Sequence, residues 1–198
     1  MARIKGGNYG GIKMGKAIIL HNVRVLRPGE AKKLIDAIPR REHEIQFKAL
    51  LFTGARYVEM QRLHEHPEWF DGKFIHLPSM AIKKAKRKQK ERWIRLNPLG
   101  REIVKSFLAL DENLPTKQAW NQNLKRWARI AGIDPTGISA KTTRKTWESW
   151  LVFYYPQHLP QIVLSQGHTT LTAIQHYLNM PFTFEDKQMM KEFVEGWI

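Results

Sequence analysis

The sequence contains no cysteine. Disulfides, thiol catalysis and cysteine-based zinc sites are therefore excluded. Long apolar runs are also missing: none approaches the ~20 residues of a membrane span. The start, MARIKGGNYGG, lacks the apolar stretch of a secretory signal. The chain is thus expected in the cytoplasm, away from membranes. Negative charge is scarce, with 18 Asp and Glu against 33 Lys and Arg, a formal net charge of +15. Such an excess calls for a polyanionic partner, and nucleic acid comes before a membrane surface. His168 and His176 have no acidic neighbour in sequence to complete a zinc site, so no metal and no cofactor is expected.

What is present fits a folded enzyme-sized domain. A chain of 198 residues with 42% hydrophobic content is long enough for a real core. Residues 1–22 are glycine-rich and basic, and read as a flexible arm. Pro28-Gly29-Glu30 opens a helix that Pro39 stops. A second helix covers Glu42 to Phe52, and Thr53-Gly54 breaks it. Helical spacing resumes from Ala55 through Leu63. Arg56 stands at the mouth of that helix, placed to pair with Glu59, to face a ligand, or to do both.

Glu68 to Phe70 and Lys73 to Leu77 flank Asp71-Gly72, which predicts a hairpin. The alternating segment Arg92 to Leu96 predicts a third strand. Between them lies the basic run Lys83, Lys84, Lys86, Arg87, Lys88 and Lys90. A charged loop is usually just solvated; the length and single sign of this one suggest a tip that contacts DNA. Further helices follow: one around Ile103 to Asp111, one capped by Thr116 with Trp120, Leu124, Trp127 and Ala131 on its core face, and one after Ser139. The fold class expected is mainly α with a small antiparallel three-stranded β-sheet. The domains expected are the arm, 1–22, a catalytic domain, 23–180, and a C-terminal amphipathic helix segment, 181–198. That last segment is suited either to packing in cis or to self-association.

The stretch from Ser139 to Tyr177 carries the densest chemistry. With Ser139 as a helix cap, Lys141 and Arg144 share one face near the helix start. His168 follows Gly167, and Tyr177 stands nine residues further on. Two cations, an imidazole and a phenol suit a phosphodiester, with Tyr177 as nucleophile. The plainer reading is a solvated cationic helix face and a packing tyrosine.

Three boxes then resemble the tyrosine recombinase, or phage and archaeal integrase, family. Thr53-Gly54-Ala55-Arg56-Tyr57-Val58-Glu59 resembles the first-arginine box, with Glu59 at its acidic position. Lys141-Thr142-Thr143-Arg144 resembles the second, although Lys141 stands where histidine is usual. Gln166-Gly167-His168 with Tyr177 resembles the third, with Gln166 where leucine is common. The resemblance covers Val23 to Asn179. It implies DNA recombination or integration on a mobile element, viral or archaeal, through a 3′-phosphotyrosyl intermediate without metal or ATP. Arg56 and Arg144 would bind the phosphate, Lys84 or Lys86 would protonate the leaving 5′-oxygen, and Lys141 would add a charge or take a proton. His168 would hydrogen-bond the phosphate or help move the proton. Lys83, Arg87, Lys88, Lys90 and Arg92 would contact double-stranded DNA, on which copies of the chain would self-associate. The family's N-terminal DNA-clamping domain has no counterpart in residues 1–22. The alternatives are an inactive DNA-binding module of the same fold and a type IB topoisomerase-like relaxing activity.

Overall fold

The computed structural model describes residues 16–81, 91–168 and 180–198. The chain begins there as a hairpin, β1 (Ile18–Leu20) against β2 (Val23–Val25), with Leu20 opposite Val23. Its two-residue turn is His21-Asn22, both at positive φ (48° and 60°). Positive φ at both central positions marks the turn type whose twist matches the strands, and asparagine tolerates it better than most residues. The arm expected over 1–22 therefore has its boundary crossed by a hairpin.

Three helices follow: α1 (Pro28–Asp36), α2 (Arg41–Thr53) and α3 (Tyr57–Glu65). A short turn of 3-10 helix (Pro67–Trp69) leads to β3 (Phe74–Leu77), which pairs antiparallel with β4 (Arg92–Arg95). Then come α4 (Pro98–Leu108), α5 (Lys117–Ile130), α6 (Thr142–Tyr154), α7 (Leu159–Gln166) and α8 (Phe184–Val194). Thr116 caps α5 as its residue type predicts, accepting the Ala119 N–H at 3.2 Å. Among the described residues no helix is long and apolar enough to cross a membrane.

The mainly helical class holds, but the single three-stranded sheet does not. Among the described residues there are two two-stranded sheets, β1-β2 and β3-β4. The Asp-Gly turn forms where expected: Asp71 Oδ1 accepts the N–H groups of Lys73 (2.8 Å) and Phe74 (2.6 Å), and Gly72 has φ +92°. The arm before it fails as a strand. Pro67 has a fixed φ and starts a helical turn, so only Phe70 is left to bridge Ile75.

α6 is the axis of the molecule. From Thr142 to Val152 every residue except Lys145 is buried, as a helix surrounded by others must be. It packs on α2, β2, α7 and α8. Trp147 lies against Phe52 (ring centroids 5.5 Å apart) and Trp150 against Phe193 (4.8 Å). The Trp150 indole N–H donates to the Leu26 carbonyl at 3.0 Å, which satisfies the polar edge of a fully buried ring. The expected Ser139 cap is displaced. Lys141 takes the N-cap position, and Ser139 sits in the turn before it, accepting the Thr142 N–H on its carbonyl at 2.9 Å.

The C-terminal segment packs in cis. Met190, Phe193, Val194 and Trp197 enter the main core, while Met180 and Phe182 pack on Ile18 and Val25 of the first hairpin. Much of its apolar face is thus covered by this chain's own elements, while Phe184 and Ile198 stay exposed. Arg27 ties the two ends together. It pairs with Asp186 and donates to the carbonyls of Pro181 (3.0 Å) and Lys16 (3.2 Å).

Candidate active site

Arg56 is the N-cap residue of α3, just past the left-handed Gly54 (φ +59°) that ends α2. Thr53 secures this corner: its hydroxyl donates to the Ala49 carbonyl (2.7 Å) and accepts the Ala55 N–H (3.1 Å). Glu59, one turn into α3, then serves twice. Its Oε2 accepts the Arg56 backbone N–H at 2.7 Å, and its Oε1 accepts the Arg56 guanidinium at 2.6 Å. The sequence alternative, pairing or ligand-facing, resolves as pairing with the Arg56 side chain still 26% exposed.

The second partner of Glu59 is Arg92. Its two terminal nitrogens reach the carboxylate at 2.9 and 2.8 Å, and its Nε donates to the Ser165 carbonyl at 3.1 Å. With a side chain only 2% exposed, Arg92 cannot meet DNA, which corrects its expected place among the DNA contacts. Alternation along β4 put Arg92 on the inner face with Ile94, and an inward arginine needs a buried acid. Burial works against ionisation of Glu59, but the Arg92 and Arg56 guanidiniums overcome it and hold the carboxyl far below its usual range.

Arg144 comes from the first turn of α6 and is buried. It donates to the Gly54 carbonyl at 2.7 Å, to the Gln166 backbone carbonyl, to Gln166 Oε1 at 3.4 Å, and to His168 Nε2 at 3.1 Å. Every one of these acceptors is neutral in form. Burial, then the like charges of Arg92 and Arg56, push its pKa below the ordinary arginine value. A cation in that situation is stabilised by an incoming anion.

His168 reaches Arg144 through the end of α7. Gly167 is left-handed (φ +66°), and the His168 N–H bonds back to the Val163 carbonyl at 3.1 Å. This six-to-one closure fixes the direction in which the chain leaves the helix. On its other side, His168 Nδ1 lies 2.6 Å from Oε1 of Glu148, a fully buried residue of α6. Burial pulls the imidazole pKa down, the Glu148 hydrogen bond raises it, and Arg144 lowers it again, leaving it below the ordinary value.

The structure thus brings Arg56, Glu59, Arg144 and His168 together, and adds three residues. Arg92 was assigned elsewhere, Gln166 was noted only as standing where leucine is common, and Glu148 was not singled out. Position four after Arg144 puts Glu148 one helical turn on, on nearly the same face; a charged residue between Trp147 and Trp150 was the available signal. Lys141 does not join the group. Its side chain is exposed at the N-cap of α6, while that of Arg144 is buried. Tyr177 and the loop residues Lys83, Lys84, Lys86, Arg87, Lys88 and Lys90 lie outside the described residues.

Among the described residues, three guanidiniums and two carboxylates meet here with an imidazole, an excess of one positive charge. A cluster of this kind can hold a phosphate or another oxyanion. The chain matches no protein-family model, no curated protein and no solved structure, so it is from this geometry and the residue pattern that a function must be argued.

Proposed function

We propose that the protein is a site-specific DNA recombinase of the tyrosine type, which cuts and rejoins DNA through a 3′-phosphotyrosyl intermediate. One observation carries the reading. Two arginines from separate helix starts, Arg56 and Arg144, are held side by side with His168, and the buried one is bonded only to neutral acceptors. A cation held so is ready for an oxyanion, and the net charge of +15 favours a nucleic acid as its source.

In the proposed reaction the Tyr177 oxygen forms a bond to phosphorus. The bond to the 5′-oxygen breaks, and its electron pair leaves on that oxygen. The phenol gives its proton to a neighbouring base, His168 or Lys141, and the leaving oxygen gains one from a lysine of the basic run, Lys84 or Lys86. The phosphodiester energy is kept in the phosphotyrosyl bond, so rejoining needs no high-energy cofactor. Arg56 and Arg144 meet the non-bridging oxygens, whose charge is greatest in the pentacoordinate transition state. Exchange of strands, as opposed to cutting alone, brings two or four copies onto one DNA.

A DNA duplex with a nick that lets the leaving strand diffuse away traps the covalent complex. Wild-type protein should form an adduct stable to denaturant, and Tyr177→Phe should form none. Arg144→Ala should slow the adduct by on the order of 10²-fold or more, in line with the loss of an oxyanion donor. An adduct that persists in Tyr177→Phe removes Tyr177 as nucleophile. Binding without any adduct in wild type leaves a DNA-binding module.

A further inference from the structure

We infer that Glu148 is a positioning residue whose buried carboxylate holds His168 in the tautomer protonated on Nδ1, so that Nε2 faces Arg144 as a proton acceptor. The inference deepens the proposed reaction and rests on it for its consequence, though the tautomer itself does not depend on DNA.

The two ring nitrogens of His168 have partners that leave one arrangement. A guanidinium only donates, and a carboxylate only accepts. Arg144 Nη2 lies 3.1 Å from Nε2, and Glu148 Oε1 lies 2.6 Å from Nδ1. With the proton on Nδ1, both contacts are hydrogen bonds. With it on Nε2, two N–H groups would point at each other across 3.1 Å, and two lone pairs across 2.6 Å. The doubly protonated ring would satisfy Glu148 but set Nε2–H against the guanidinium. The hydrogen bond at one nitrogen thus decides the state of the other.

Glu148 has no other evident task. It is fully buried on an enclosed helix, and among the described residues its Oε2 has no hydrogen-bond partner. Keeping a carboxylate there is costly, and a packing role would be better filled by an apolar residue. Among the described residues, the charged groups that act on His168 include Glu148 and Arg144 of α6 and Arg56 before α3. Glu148 alone among them favours a second proton on the ring. When the Arg144 guanidinium turns from Nε2 to the phosphate, the pair can take a proton at Nε2 and stabilise the resulting imidazolium, the division of labour of carboxylate and histidine in serine hydrolases. Of the two roles implied for His168, this selects acceptance of a proton; Nε2 can donate to a phosphate only afterwards.

The test begins without DNA. Protein labelled with ¹⁵N at its eight histidines gives long-range ¹H–¹⁵N correlations that distinguish the two tautomers, and the His168 signals are those lost in His168→Gln. At pH 8 wild-type His168 should carry its proton on Nδ1. In Glu148→Gln its titration should fall by about one unit or more, because the charge that favours imidazolium is gone; Glu148→Asp, which keeps the charge, should restore it in part. On the nicked duplex, Glu148→Gln should form adduct on the order of 10²–10³-fold more slowly with DNA affinity unchanged, the range of general base catalysis. A proton on Nε2 in wild type, an unchanged titration in Glu148→Gln, or adduct at the wild-type rate in that variant each overturns the inference. If the tautomer and titration are as expected and wild type forms no adduct, the positioning stands and the proposed reaction falls.

Discussion

Glu59 shows how one side chain can order a site without touching its ligand. It holds the Arg56 backbone, the Arg56 guanidinium and the Arg92 guanidinium at once. Removing it would leave Arg92 charged and buried with a single carbonyl for company, which costs about 3–5 kcal/mol when a buried pair is broken. Glu59→Ala should therefore lower unfolding stability by that order in urea titrations. Its pH dependence has a definite sign. The folded-state pKa of Glu59 is depressed, so its contribution is complete above the ordinary glutamate value of ~4.3 and is lost as pH falls toward the folded value. Wild type should lose stability from about pH 5 downward more steeply than Glu59→Gln. Parallel curves for the two proteins would show that the carboxylate charge is not what secures the arginines.

At the scale of elements, the site lies where four helix termini meet: the end of α2, the start of α3, the first turn of α6 and the end of α7. Gly54 is the tightest point of that meeting. It adopts a left-handed φ of +59°, and a Cβ there would come 2.4 Å from Gln166 Oε1 and 2.9 Å from Trp147 Cδ1. Gly54→Ala combines a conformational cost of about 1–2 kcal/mol with overpacking of about 1–3 kcal/mol. Stability should fall by roughly 2–5 kcal/mol, and adduct formation should fall with it, since the Gly54 carbonyl is an Arg144 acceptor. A variant with wild-type stability would mean that the corner relaxes freely.

This corner also explains what the sequence discloses and what it hides. Gly54, Gly167 and Arg56 are legible because turn glycines and helix mouths obey local rules. The class of fold is legible from periodicity. Arg92 is not, because its burial depends on which face of β4 turns inward, and that is set by packing against α3 and α7 and not by the local pattern. Glu148 is hidden for a different reason. Its partner is twenty residues away, and nothing in local pattern distinguishes a buried acid on a Trp-rich helix from an exposed one. The first hairpin was masked by the glycines before it, whose composition overrode the short alternation of Ile18 to Val25.

For the molecule as a whole, burial sorts the charges. Arg24 pairs with Glu30, Arg27 with Asp186, and Arg92 with Glu59, while Glu148 sits beneath the His168–Arg144 contact. Four buried arginines thus accompany four buried acids, and the surplus of +15 is left to the remaining residues. If that surplus binds DNA, affinity must fall with salt, because each neutralised phosphate releases counterions, with a slope of log K on log salt of about −0.9 per contact. Replacing Lys83, Arg87, Lys88 and Lys90 by alanine together should make the slope shallower by up to ~0.9 for each residue that reaches a phosphate. Arg56→Lys, which keeps the charge but loses the planar fork, should leave the slope nearly unchanged while slowing adduct formation. Fluorescence anisotropy over a range of salt concentrations reads both. A slope unaltered by the four alanines would take the loop off the DNA, and a slope near zero in wild type would remove nucleic acid as the partner that this charge serves.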